Sequence, residues 1–193
     1  QIRNAPAKIP TFAIRMLPYV NIHTHRPTGS GIELRTAGVH PWDAATQDAA
    51  TLGQRLGGAQ AVGETGLDFV RGADRAAQLS ALRTQLRLAR ERGLPVVLHC
   101  VRAFEPLMRE LAASEPRAVI FHGFIGSPEQ ARQALAKGYC LSFGERTFAS
   151  PKTLAALRGT ITKEQAAETM RRVGLDPESR KHVSKYSLGM RQR

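Results

Sequence analysis

A parallel α/β sheet or barrel is the fold class that this sequence predicts, on three observations. Short apolar, β-branched runs alternate with longer stretches of helical periodicity from Pro18 to Gly144. The segments between them are short and carry turn or capping residues. Four of six such runs close on His or Glu, and parallel α/β folds collect their reactive groups at the carboxyl ends of strands. At 193 residues the chain can bury a core, yet it falls short of the roughly 250 of an ordinary eight-unit barrel.

Residues 1–15 precede Met16 and are expected to form an unstructured arm. Pro6, Pro10 and Pro18 with intervening charges leave no apolar stretch long enough for a signal peptide or a membrane span. YVNIH (19–23) is the first strand candidate and RTAGV (35–39) the second. DAATQDAATLGQRLG then carries apolar residues at helical spacing and leads into QAVGE (60–64). The helical stretch DRAAQLSALRTQLRLARERG is stopped by Gly93 ahead of Pro95, where the strand PVVLH (95–99) begins. RAFEPLMRELAAS connects to AVIFH (118–122). SPEQARQALAKG, whose Ser127, Pro128 and Glu129 form a helix start, connects to YCLSF (139–143). ASPKTLAALRGT is one more helix, and from Ile161 only short helical segments follow. The expected organisation is therefore a barrel-like domain over 16–160 and a helical appendage over 161–193.

The formal net charge of +12, from 28 Lys and Arg against 16 Asp and Glu, is spread along the whole chain. It favours an anionic partner such as nucleic acid, the alternative being a basic surface that is merely solvated. Cys100 and Cys140 each lie in an apolar run, as buried thiols do, so no disulfide framework is expected and a cytoplasmic protein fits best.

His23 and His25 stand one residue apart on a strand, so both side chains face one side and can reach one cation. An isolated HxH also occurs in ordinary packing. Here Glu64, His99 and His122 close three further strand candidates, so five groups of metal-ligand type gather at four strand ends. Nitrogen and carboxylate donors without cysteine suit a hydrolytic Zn, Mn or Mg centre rather than a structural thiolate site. Each also has a plain structural reading: a salt-bridged or capping carboxylate for Glu64, satisfied core histidines for His99 and His122. His40 in AGVHPWDA and Asp68 in GLDF can hold loop structure or touch substrate, and Trp42 can stack a base or cover a barrel rim.

The stretches NIHTH, AGVHPWDA, AVGETGLDF, LPVVLHCVRAF and IFHGFIGS followed by GYCLSFG occur in the order found in one family. Over residues 19 to about 158 the chain resembles the TatD metal-dependent deoxyribonucleases of the amidohydrolase-like barrel superfamily. The resemblance implies an incomplete TIM-like (β/α) barrel and phosphodiester hydrolysis of DNA with two divalent ions, Zn, Mn or Mg. It also implies that His23 and His25 ligate the first ion, that catalytic Glu64 bridges both, and that His99 and His122 ligate the second. Arg102 and His40 would bind substrate, Arg102 through a phosphate.

Three departures accompany the resemblance. Asn21 stands where the family has Asp. Only 14 residues separate His25 from His40, so the second barrel strand is expected to be absent and about six of eight to remain. No ETD-like motif, whose Asp is a family metal ligand and proton acceptor, follows Gly144. Activity is therefore expected to be weak or lost.

Residues 161–193 resemble a different family, the signature region of ABC transporter ATPases. Ser187 and Gly189 match its nucleotide-facing positions, and a transporter partner subunit is implied if that segment functions. No GxxxxGK[ST] loop occurs, so the chain by itself lacks the phosphate cradle. The competing expectations are thus an ATPase-derived nucleotide-binding or interaction fragment, or a chimera without function whose open strand edges invite aggregation. A related esterase or amidase activity stays open beside them.

Overall fold

The apolar runs of the sequence become parallel strands, and the periodic stretches between them become the helices that cover the sheet. The computed structural model describes residues 20–21, 32–143, 146, 149–160 and 162–172, and at 20–21, 32–33, 165–166, 169–170 and 172 the backbone alone. The elements in order are β1 (Val20–Asn21), β2 (Ile32–Glu33), β3 (Thr36–Ala37), α1 (Leu52–Arg55), β4 (Ala61–Asp68) and α2 (Arg75–Arg92). They continue with β5 (Val96–Val101), α3 (Phe104–Ser114), β6 (Val119–Phe121), α4 (Pro128–Ala136), β7 (Cys140–Leu141), α5 (Pro151–Thr160) and α6 (Lys163–Arg172).

Strands β3 to β7 form one five-stranded sheet in sequence order, every pair parallel. This is the progression of a (β/α) unit repeated along the chain. Strands β1 and β2 pair parallel in a separate two-stranded sheet, Val20 opposite Ile32. β2 is separated from β3 by Leu34 and Arg35 alone, with no helix between them, so it is not a (β/α) unit of its own. At two residues it carries no alternation that a sequence pattern could register.

Two strands also run further than their sequence patterns suggested. β4 extends past Glu64 to Asp68, and β5 past His99 to Val101, so these two site residues lie within strands rather than at their ends. Gly66 and Asp68 are poor strand formers, which hides the extension. All eight residues of β4 are buried, as in a parallel strand covered on both faces.

The main core lies between the sheet and helices α2, α3 and α4. Val62, Leu67, Val96 and Leu98 of the central strands meet Leu82 and Leu86 of α2 and Leu107 and Leu111 of α3. Phe104, Phe121 and Phe124 fill the α3 side, ring centroids 5.9 to 6.4 Å apart. The helix boundaries follow local chemistry. Asp74 caps α2 by accepting from the amides of Ala76 and Ala77, and Gly93 ends it in the left-handed region at φ 63°. Ser127 and Gln130 form the reciprocal capping box of α4.

Candidate active site

Along the register between β4 and β5, Val62 faces Val96 while Thr65 faces Leu98, so β4 carries one residue more than its partner. The irregularity falls at Gly63 and Glu64, and a bulge of this kind re-aims a side chain. It needs small residues, because the backbones there are in contact. A Cβ on Gly63 would lie 2.8 Å from Val97 Cβ, and one on Gly38 would lie 2.7 Å from the Gly63 carbonyl carbon.

Glu64 directs its carboxylate to His99 of the neighbouring strand, with Oε1 3.4 Å from Nδ1. The other nitrogen of His99, Nε2, lies 3.1 Å from Oδ2 of Asp68. Asp68 is nearly fully buried and surrounded by donors. Oδ1 accepts from the amides of Val70 and Arg71, both at 2.9 Å, and Oδ2 also accepts from the Trp42 indole Nε1 at 2.7 Å. Burial by itself would raise its pKa. The hydrogen bond from Trp42, followed by those from Val70, His99 and Arg71, outweighs that and holds the carboxyl at about 2.

An ionised Asp68 fixes the tautomer of His99 by accepting the hydrogen bond of its Nε2–H, which leaves the Nδ1 lone pair toward Glu64. Two donor atoms 3.4 Å apart span one edge of a tetrahedron with bonds of about 2.1 Å, so the pair fits a single divalent cation. A proton competes for the same place. Burial works against charge on His99, but the hydrogen bonds to Glu64 and Asp68 and their negative charges prevail and raise its pKa.

His40 joins this pair: ligand-capable atoms of His40, Glu64 and His99 all lie within 4.8 Å of one another. Its ring packs edge-on against His99, centroids 4.6 Å apart. His40 is also the N-cap of the 3-10 turn Pro41–Asp43, where its Nδ1 accepts from the Trp42 amide at 3.2 Å. A neutral ring that accepts at Nδ1 carries its proton on Nε2, so His40 presents a donor to the cluster.

His40, Glu64, His99 and His122 line one cavity of about 590 Å³ at the carboxyl side of the sheet. His122 directly follows β6, and its amide donates to Leu98 O at 2.9 Å. Arg102 lines an adjoining cavity of about 680 Å³ instead; its φ of 50° turns the chain sharply after β5. Cys100, Val101, Ile125 and Arg146 belong to the walls of both. His23, His25, Ser187 and Gly189 lie outside the described residues.

Two residues that sequence reasoning passed over hold the site in place. Gln78 and Gln85 of α2 are both about 1% exposed, one heptad apart on the helix face that packs against β4. Gln78 accepts from the Asp68 amide at 2.8 Å and donates to the carbonyls of Asp68 and Ala73. Gln85 accepts from the amide of Val39, next to His40, and donates to its carbonyl. Polar residues on an otherwise apolar helix face were the available signal, since a buried amide side chain is bonded to something specific.

A profile of the TatD related DNase family matches residues 31–169, nine residues beyond the change in character at Thr160. A protein named 3'-5' ssDNA/RNA exonuclease TatD from Cronobacter sakazakii is 45% identical over 115 residues, covering 55% of this chain and 43% of its own. Its namesake from Erwinia amylovora is 42% identical over 120 residues, covering 56% and 44%. The chain thus spans less than half the length of these curated relatives. Among solved structures, the YJJV TatD homolog of Escherichia coli superposes with a TM-score of 0.58 at 25% identity, over 69% of this chain and 55% of that one. A TatD family hydrolase from Entamoeba histolytica gives 0.59 at 24%, over 69% and 48%, a likeness of fold.

Proposed function

This chain belongs to the TatD related DNase family, and from that premise we propose that it hydrolyses phosphodiester bonds of single-stranded nucleic acid with divalent metal. The observation that carries the reading is the approach of Glu64 Oε1 and His99 Nδ1 to 3.4 Å, with His40 beside them, in a cavity at the carboxyl side of a parallel sheet. Relatives named single-strand exonucleases and the net charge of +12 support the choice of substrate.

Glu64, His99 and His122 of this cavity would hold divalent ions, to which the family resemblance adds His23 and His25 as donors. Such ions supply Lewis-acid polarisation of the phosphoryl oxygens and ease the ionisation of water. Asp68 keeps the His99 ring in the tautomer that offers Nδ1. His40 donates from Nε2 to a phosphoryl oxygen, and Arg102 in the adjoining cavity takes a neighbouring phosphate. No helix of the described residues is long and apolar enough to cross a membrane.

Elemental analysis of the purified chain beside His99→Ala, with cleavage of a 5′-labelled single-stranded oligonucleotide, tests the reading. Bound Zn or Mn that is lost in the variant, with metal-dependent cleavage by the parent, is the expected result. A folded chain that takes up no divalent metal overturns it.

A further inference from the structure

Trp42 is the chain's only tryptophan and stands at the rim of the candidate active-site cavity, 46% exposed. Its position is fixed from several sides. Nε1 donates to Asp68 at 2.7 Å, and the ring meets His40 and His99 edge-on with centroids 4.7 and 6.0 Å away. The following loop closes on it so tightly that a Cβ on Gly72 would lie 2.7 Å from Trp42 Cα. An indole needed only to anchor Asp68 could do so fully buried. This one keeps nearly half its surface in water while held rigid, so it binds a flat partner with little further loss of side-chain entropy.

Cations lie close to it. The Arg71 guanidinium stands over one face of the ring, 5.8 Å from its centroid, so a partner would stack on the other, and Arg55 lines the same cavity. A rigid exposed aromatic beside cations and next to a phosphate-cleaving centre is the arrangement that binds unpaired nucleotides, bases on the ring and backbone on the charges.

We propose that Trp42 is a stacking platform for the base of an unpaired nucleotide whose phosphodiester enters the Glu64–His99 cavity, which rests on the nuclease reading above. Stacking is open to every base, so the platform selects strandedness rather than sequence. A base inside a duplex is stacked on both faces and offers neither to the indole.

Since Trp42 alone supplies indole emission, fluorescence titration reads the contact directly. The full chain is titrated in EDTA with the trinucleotide dT3 and with an abasic trimer carrying the same phosphates. The expected result is quenching by dT3 and an affinity about tenfold above that of the abasic trimer. By anisotropy with labelled trimers, Trp42→Phe retains part of this ratio and Trp42→Ala brings it close to one; a ratio within one protein is insensitive to damage elsewhere in the site. Equal affinities of the parent chain for both trimers, or emission unchanged at millimolar dT3, overturns the platform. Quenching without cleavage once Mn or Zn is added sinks the nuclease reading and leaves the platform standing. Cleavage without base preference does the reverse.

Discussion

Gln85 and Val39 form a closed pair: the side-chain amide of one accepts from and donates to the main chain of the other, at 2.7 and 3.0 Å. Both are about 1% exposed, so water is no substitute. Gln85→Leu keeps the bulk and leaves a buried amide and carbonyl without this partner, each costing about 1–3 kcal/mol. Urea unfolding is expected to show a loss of about 2–4 kcal/mol. Because Val39 precedes His40, cleavage should fall as well at temperatures where the variant is fully folded.

Asp68 accepts four hydrogen bonds and donates none, so its carboxylate cannot be exchanged for an amide without conflict. In Asp68→Asn one terminal group must face donors with donors, either the two loop amides or the indole and imidazole. Divalent metal affinity should drop 10- to 100-fold by calorimetry, the usual effect of removing the partner that orients a ligating His. Unchanged affinity would show that His99 needs no such partner.

Gly38 and Gly63 touch through their backbones, and neither neighbour can give way as a flexible side chain would. Gly38→Ala should push β3 from β4 and destabilise by about 1–3 kcal/mol or more. Gly159, inside α5, has open space within 4 Å of the place a methyl group would take, and Gly159→Ala should stabilise by about 0.5–1 kcal/mol. Thermal melts of the two variants are expected to move in opposite directions.

Arg83 of α2 grips Glu110 of α3 with two hydrogen bonds of 2.9 and 2.7 Å. The Arg83 hydrogen bond, against a smaller opposing effect of burial, lowers the Glu110 pKa. A carboxyl depressed in the folded state adds stability above its unfolded pKa of about 4.3, and that stability is lost as pH falls below it. The urea midpoint of the parent should therefore exceed that of Glu110→Gln at pH 7 and converge with it near pH 3. A gap that persists at pH 3 would trace the effect to packing.

Much of this arrangement was legible in the sequence because it rests on short-range signals. The short apolar run that marks each of QAVGE, PVVLH and AVIFH is a property of consecutive residues, as are the Ser127 and Gly93 helix signals, and all reappear as strands and boundaries. The meeting of Glu64 with His99 followed from adjacency of strands in a parallel sheet. What stayed hidden is three-dimensional. Asp68 and Trp42 lie 26 residues apart and share a hydrogen bond that no local pattern encodes. The role of His40 emerges only with the N-cap contact to Trp42, which decides which nitrogen bears the proton. The reach of β4 to Asp68 depends on burial from both faces, which overrides the weak strand preference of Gly66 and Asp68.

The two thiols differ in a way that makes the molecule its own ruler. Cys100 sits in the wall common to both cavities, and burial pushes its thiol up to about 12, whereas Cys140 is exposed on β7 at one edge of the sheet. Only thiolate reacts with maleimides, so at pH 7 a dye should attach to Cys140 and spare Cys100. Trp42 follows β3, the opposite edge. Energy transfer from that indole to an acceptor on Cys140 would gauge the width of the sheet in solution, with no residue replaced.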